Sequence, residues 1–500
     1  MTSPKHLSRR HFLAVGTAAA GMAALGPVWA EETVSEGVLA NAGPDRWEVL
    51  RRLTGDRLLR PGDTGYGKAA LPNNLHFRDM RPQGVAYCST PQMVADVLNW
   101  ARDHDMPFAI RGGGHSYSGY SSSHDLVIDM REMRAISHDA ETGQVRVEAG
   151  VLNGQLYSAL SKAGRMITHG RCPSVGAAGY LLGGGIGFNM RRLGMAADAL
   201  TRAEIVTADG QLHRLSATEN ADLFWAIRGG AGGNFGVSTS FTLNTVPMDE
   251  TLTVFRMVWR SKTLEVAHAL FAAVDAAPVE LGTRIALGGV TPDLGARGRQ
   301  VPVTLLGQYA GSKEDLLEIL APVNAIAAPE FIDVQEKPYW SGQNFLSEPG
   351  EPAYFRERSA FISSPPNADH LGEAFEKLQS WPGTGAEANY FFFQTGGRIN
   401  ELAPADTAFV HRDSRFLSVV GISWSEDDLA LPERLRAARD WQDDFYGFMS
   451  ARGGQGAFQN FPDASLVDWR ARYYGANLPR LTEIKAQFDP TNLFRHGQSL

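Results

Sequence analysis

Between residues 84 and 246 the apolar positions fall in short runs broken by polar and glycine-rich turns. That rhythm writes strands, with stretches of three-and-four spacing between them. The runs 84–88, 108–110, 126–130 and 144–149 predict strands, and 91–104 and 153–163 predict amphipathic helices. Beyond Pro247 the texture shifts: longer helical patterns cover 263–274 and 313–328, and β-rich runs cover 301–308, 388–393 and 416–424. The stretch 478–488 reads as a helix stopped ahead of Asp489-Pro490, because the residue before a proline is pushed out of helical geometry. The shift predicts two domains, 40–245 and 246–460, with 461–500 returning to the first, so that the second is an insertion in the first.

Composition agrees with two cores, since 500 residues with 43% hydrophobic and 20% charged side chains make an ordinary globular chain. A formal charge of -8 argues against nucleic acid, which needs clustered Lys and Arg on a basic face. The first thirty residues stand apart. Ser8-Arg9-Arg10-His11-Phe12-Leu13 precedes an uncharged Ala- and Gly-rich run from Ala14 to Ala30, and Val28-Trp29-Ala30 offers the small residues a signal peptidase cuts after. This predicts a twin-arginine export signal over 1–30 and a periplasmic or extracellular mature chain; a plain N-terminal helix is the alternative. No later apolar stretch is long enough to span a bilayer, so the expectation is no membrane attachment after cleavage. Twin-arginine substrates cross folded, which suggests a cofactor inserted beforehand. Two cysteines, Cys88 and Cys172, either form one disulfide or serve separate purposes.

Three glycine-rich segments carry the candidate chemistry. Arg111-Gly112-Gly113-Gly114-His115-Ser116 follows a predicted strand, and consecutive glycines let backbone N–H groups turn toward an anion; a plain turn is the other reading. The spacing is not that of a Rossmann dinucleotide fold. The second run, from Gly170-Arg171-Cys172-Pro173-Ser174-Val175-Gly176 through Gly179, continues to Gly183-Gly184-Gly185-Ile186-Gly187. The third spans Gly229 to Gly236 and Val237. A large planar ligand lying against main chain accounts for three such segments better than three incidental turns do.

These segments resemble the FAD-binding domain of the berberine bridge enzyme-like flavoproteins, within the vanillyl-alcohol oxidase superfamily, and the likeness extends to Asp198, to 222–229 and to 474–492. The resemblance implies an α+β, two-domain PCMH-type FAD-binding fold, with a substrate domain built on an antiparallel sheet covered by helices. It implies FAD bonded to His115 through the 8α-methyl carbon and to Cys172 through carbon 6. A turn histidine, a buried thiol and a Cys88–Cys172 disulfide are the competing readings. It also implies flavin contacts from Arg111, Gly112, Gly113, Gly114, Ser116, Val175, Gly176, Gly179, Gly183, Gly184, Gly185, Gly187, Gly236, Val237 and Asn477. No metal is expected.

The same resemblance implies oxidation of a small organic alcohol by hydride transfer to flavin, with a carbohydrate, secondary metabolite or aromatic alcohol as substrate. Small Val175 points to molecular oxygen as acceptor and hydrogen peroxide as product. A dehydrogenase passing electrons to a quinone, or a flavin protein without turnover, are the alternatives. Tyr117 matches a substrate-facing tyrosine, against the reading of an exposed loop aromatic. Positions that are usually ionisable in relatives hold Phe461 and Gln394, so the base is open among Tyr117, Tyr354, Tyr390 and Tyr473, with Tyr117 first. Aromatics at 339, 340, 345, 354, 355 and 390–393 read as core more readily than as pocket lining. Arg398 and His411-Arg412 read as structural partners.

Overall fold

The computed structural model describes residues 45–288 and 300–500. The export signal expected over 1–30, and residues 40–44 of the expected first domain, lie outside the described residues. Strands Gly84–Tyr87, Leu126–Asp129 and Phe108–Arg111 are parallel neighbours in a four-stranded sheet, with the short Leu58–Leu59 antiparallel at its edge. All four residues of Leu126–Asp129 are buried, as a central parallel strand covered on both faces requires. Helix Pro91–Asp103 makes the crossover. Thr90 caps it by accepting from the Met93 N–H at 3.1 Å, and Pro91 sits where its missing N–H costs nothing. Its apolar stripe buries Val94, Val97, Leu98 and Ala101.

A five-stranded antiparallel sheet follows, in the order Ile136–His138, Gln144–Glu148, Val237–Asn244, Leu200–Val206 and Leu212–Ser216. A larger antiparallel sheet has seven strands: Phe331–Pro338, Thr251–Trp259, Val303–Tyr309, Leu281–Gly288, Ala388–Gln394, Phe416–Trp424 and Tyr354–Ile362. Helices Thr263–Ala276, Ala368–Gln379 and Pro432–Ala451 cover one of its faces, where Phe271 packs edge-on to Phe392 and Phe416 at 4.8 and 5.3 Å. On the opposite face Phe361, Phe391, Leu417 and Val419 close against Ile186, Met190, Met195, Phe409 and Phe458. The chain is thus an α+β fold whose large sheet lies directly on the second glycine-rich segment.

Two differences from expectation have simple causes. The helix expected over 313–328 breaks into Lys313–Ile319 and Ala321–Asn324, since Pro322 has no N–H to carry the hydrogen-bond ladder through. Gln394 ends a strand whose side chains alternate between faces. Phe391 and Phe393 point to the glycine-rich side, whereas Gln394 turns to the helices, donates to the Val274 carbonyl and accepts from Thr283 at 3.0 Å.

The helix Leu478–Phe488 has its expected bounds, and Leu481 packs near Gly230. Its buried Lys485 donates to the Asn234 carbonyl at 2.8 Å, to the Phe494 carbonyl at 2.5 Å and to Asp489 at 2.6 Å. Three acceptors offset the cost of burying an ammonium, and they anchor the tail to the third glycine-rich segment.

Candidate active site

Strand Phe108–Arg111 releases the chain at its carboxyl end into the loop 112–125, and buried Arg111 sets that loop's path. Its guanidinium donates to the Ser121 carbonyl at 2.8 Å, the Ala69 carbonyl at 2.5 Å and Ser122 Oγ at 3.1 Å. Across from it, Gly113 and Gly176 touch backbone to backbone: a Cβ on Gly113 would stand 2.1 Å from the Gly176 nitrogen. The two loops, with 231–236 and 458–462, enclose a cavity of about 350 Å³, within the range of small-molecule and cofactor sites.

Gly112, Gly113, Gly114, His115, Ser116, Tyr117, Cys172, Val175, Gly176, Gly179, Gly187 and Gly236 line this cavity. Arg111, Gly183, Gly184, Gly185, Val237 and Asn477 do not. Arg111 holds the loop, Gly183 leaves room for the Asn460 amide, and Asn477 donates to the Pro404 and Thr407 carbonyls at 2.7 and 3.1 Å. Both cysteines are free. His115 Cε1 and Cys172 Cβ lie 3.4 and 3.3 Å from the point where a Cβ on Gly350 would stand, so the two loops bring them to one place.

Burial pushes His115 down to about 4, which leaves a neutral imidazole with a lone pair for attack. Cys172 goes the other way: burial, reinforced by Glu348 and opposed by Arg171, pushes its thiol up to about 11. The resting sulfur is a thiol, so the ready thiolate that the covalent reading invites is not present.

FAD fits the donor set. Asn153, Ser238, Gln459 and Ser121 line the cavity with buried polar atoms that have no hydrogen-bond partner in the protein: both amide atoms of Asn153, Oγ of Ser238 and Ser121, and Oε1 of Gln459. Buried polar groups are rarely left so, and several on one wall mark the seat of a polar ligand. Gly179 opens onto free space, with nothing within 4 Å of its would-be Cβ.

Tyr117 is not an exposed loop aromatic. It stacks on Phe461 with ring centres 4.9 Å apart and planes 7° apart, meets Phe355 edge-on at 4.9 Å, and burial holds its phenol well above the usual tyrosine range. Glu357 on strand Tyr354–Ile362, a residue the sequence pattern passes over, lies within electrostatic reach of Tyr117. Burial pushes Glu357 up to about 7, with Arg284 pulling down and Glu348 pushing up. Arg284 lies 4.2 Å over the Phe391 ring and 3.8 Å from Glu348.

The other tyrosines are engaged elsewhere. Tyr354 donates to Glu426 at 2.6 Å and Tyr390 pairs with His370 at 3.0 Å, both away from the cavity wall. Tyr473 lines the cavity but accepts from the Asp463 N–H and donates to Gln498. Of the aromatics read as core, Phe393 alone lines the cavity, while Phe355 reaches it through Tyr117. Arg412 makes a bidentate pair with Asp198 at 2.7 and 2.8 Å, and exposed Arg398 lies 3.9 Å from Glu401.

The FAD binding domain family matches residues 82–216, and the berberine and berberine like family matches 457–500. An uncharacterized FAD-linked oxidoreductase of Bacillus subtilis, YvdP, is 31% identical over 461 residues, covering 90% of this chain and 98% of its own. The chain belongs to the berberine bridge enzyme-like FAD-linked oxidoreductases. Solved structures of such oxidoreductases superpose along its length. Physcomitrella patens BBE-like 1 gives a TM-score of 0.78 at 28% identity, covering 90% of this chain and 98% of that one. The xylooligosaccharide oxidase of Myceliophthora thermophila, in complex with xylobiose, gives 0.77 at 26%, covering 91% and 98%.

Proposed function

We propose that this FAD-linked oxidoreductase carries its flavin on two covalent bonds, from His115 and Cys172, and oxidises an alcohol group of a small organic substrate. The observation that carries the reading is the meeting of those two side chains, from separate loops, on the wall of one glycine-lined cavity. Asn153, Ser238 and Gln459 would hydrogen-bond the FAD, and Gly112, Gly113, Gly114, Gly176 and Gly179 would let it lie against main chain. When bound, FAD supplies a two-electron hydride acceptor. Neutral His115 has its ring nitrogen available for attachment, whereas Cys172 must first lose its proton, and Arg171 and Arg284 are the cations that favour that loss.

Molecular oxygen is the proposed acceptor, with hydrogen peroxide as product, and the small side chain of Val175 on the cavity wall supports that reading. A carbohydrate is the favoured substrate class, supported by the xylobiose-bound oxidase of the same fold. The reading includes export by the twin-arginine route after folding. It also assigns 40–245 and 461–500 to flavin binding and 246–460 to the substrate. The deciding experiment is acid precipitation of the denatured holoenzyme. A yellow pellet, and peptides containing His115 and Cys172 heavier by FAD, are the expected result. Full release of the pigment would overturn the covalent reading.

A further inference from the structure

We propose that the segment 347–353 is a clamp for the flavin bond at Cys172, holding the sulfur in place while it reacts with the FAD ring. The inference rests on the two-bond reading above and adds to it what positions the second bond.

The segment leaves helix Tyr339–Leu346, crosses both glycine-rich loops and enters strand Tyr354–Ile362 of the large sheet. At its centre the Gly350 carbonyl accepts from Ser174 Oγ at 3.2 Å and from Asn73 Nδ2 at 2.8 Å. Ser174 lies two residues beyond Cys172. Asn73 donates its N–H to the carbonyl of Gly114, the residue before His115, at 3.1 Å, and accepts from the Ala353 N–H at 3.1 Å. One carbonyl thus ties together the neighbours of both attachment residues. Gly350 has a φ of 66°, and a Cβ there would stand 2.5 Å from Ser174 Oγ, 3.3 Å from Cys172 Cβ and 3.4 Å from His115 Cε1. A branched side chain in that place would lift the segment off both loops.

The two loops depend on the segment unequally. Arg111 holds the first from behind, through Ser121, Ala69 and Ser122. Behind Cys172, the Asn153 and Gly154 N–H groups donate to the Val175 and Pro173 carbonyls at 2.8 and 2.9 Å. In front of it the segment does the holding. Ser347 Oγ and the Glu348 N–H donate to the Arg171 carbonyl at 3.1 and 3.2 Å, Arg171 Nε donates to the Leu346 carbonyl at 3.2 Å, and the Arg171 guanidinium pairs with Glu348. Cys172 sits between these two sets of contacts.

The chemistry makes placement decisive. An S–C bond to flavin carbon 6 replaces the S–H of Cys172 and the C–H of that carbon; the two electrons and two protons released pass to molecular oxygen, giving hydrogen peroxide. Thiolate is the reacting form, and burial keeps Cys172 almost wholly a thiol. So scarce a nucleophile depends on being held against its target, where fixed geometry raises rates by orders of magnitude. Neutral His115 has its lone pair ready and needs less help. Because the clamp belongs to the large-sheet side, the bond at Cys172 forms once that sheet has closed on the glycine-rich loops.

The test compares the full-length protein with Gly350→Val, with Asn73→Ala and Ser174→Ala combined, and with Glu351→Gln, a control at an exposed position of the same segment. Each is made in air with ample riboflavin, denatured and alkylated with iodoacetamide. Peptide mass spectrometry then counts FAD at His115, FAD at Cys172 and alkylated Cys172. Gly350→Val and the double variant are expected to keep FAD on His115 while FAD on Cys172 falls about tenfold, alkylated Cys172 rising to match. Tm should move little, since the segment is exposed except at Gly350, and Glu351→Gln should match the parent. Full occupancy of Cys172 in both Gly350→Val and the double variant overturns the proposal. Equal loss at His115 and Cys172 overturns it too, because the segment would then support the whole site rather than one bond. A parent with no FAD on Cys172 would instead overturn the two-bond reading on which it rests.

Discussion

A carboxyl whose proton affinity rises on folding makes stability depend on pH in one direction. Glu357 is raised from 4.5 to about 7, so the folded chain prefers it neutral. Its contribution is complete below about 4.5 and is lost as pH rises through about 7. Replacing it by neutral glutamine should therefore raise Tm by roughly 1–3 °C above pH 8 and leave it unchanged in acid, as differential scanning calorimetry at the two pH values would show. Cys172→Ala should keep the protein yellow through His115 while lowering the flavin potential, with reduction slowed roughly tenfold; spectroelectrochemistry and stopped-flow absorbance check the two halves. His115 and Cys172 are legible in the chain because each sits in a glycine-rich segment with few other uses. Glu357 is not, because in Tyr354–Ile362 it is one charge among Arg356 and Arg358, and only the fold shows that these face different partners.

Among elements, the loop 112–125 owes its shape to a side chain behind it. Arg111 satisfies two carbonyls and a hydroxyl with one planar fork, an arrangement that an ammonium does not reproduce. Arg111→Lys should cost about 2–3 kcal/mol in urea unfolding and reduce the FAD loaded per chain, measured by the ratio of flavin to protein absorbance. Helix Pro91–Asp103 was readable because cap, proline and apolar stripe agree, and Leu478–Phe488 because Asp489-Pro490 stops it. Strands such as Leu281–Gly288 and Tyr354–Ile362 were not, since their charged residues are paired across the fold rather than along the chain.

For the whole molecule, the large sheet and the second glycine-rich segment share one apolar contact, and Arg412 crosses beside it to Asp198. Removing one partner of a buried pair strands the other, so Arg412→Ala should cost about 3–5 kcal/mol. Leu417→Ala, a cavity in the same contact, should cost about 2–5 kcal/mol; chemical denaturation followed by flavin absorbance and tryptophan fluorescence reports both. The α+β class was legible through the resemblance that the glycine-rich segments carry, but the meeting of sheet and glycine-rich wall is a long-range contact that no local period encodes.

The strand Ala388–Gln394 shows how narrowly such a wall is specified. Its odd-numbered side chains look toward the glycine-rich side and its even-numbered ones toward the helices. A slip of one residue would exchange the two sets, and in one direction it would offer the cavity the Gln394 amide in place of the Phe393 ring. Chemistry at this position can therefore be rewritten by a single insertion or deletion in the preceding turn, without a substitution anywhere in the strand.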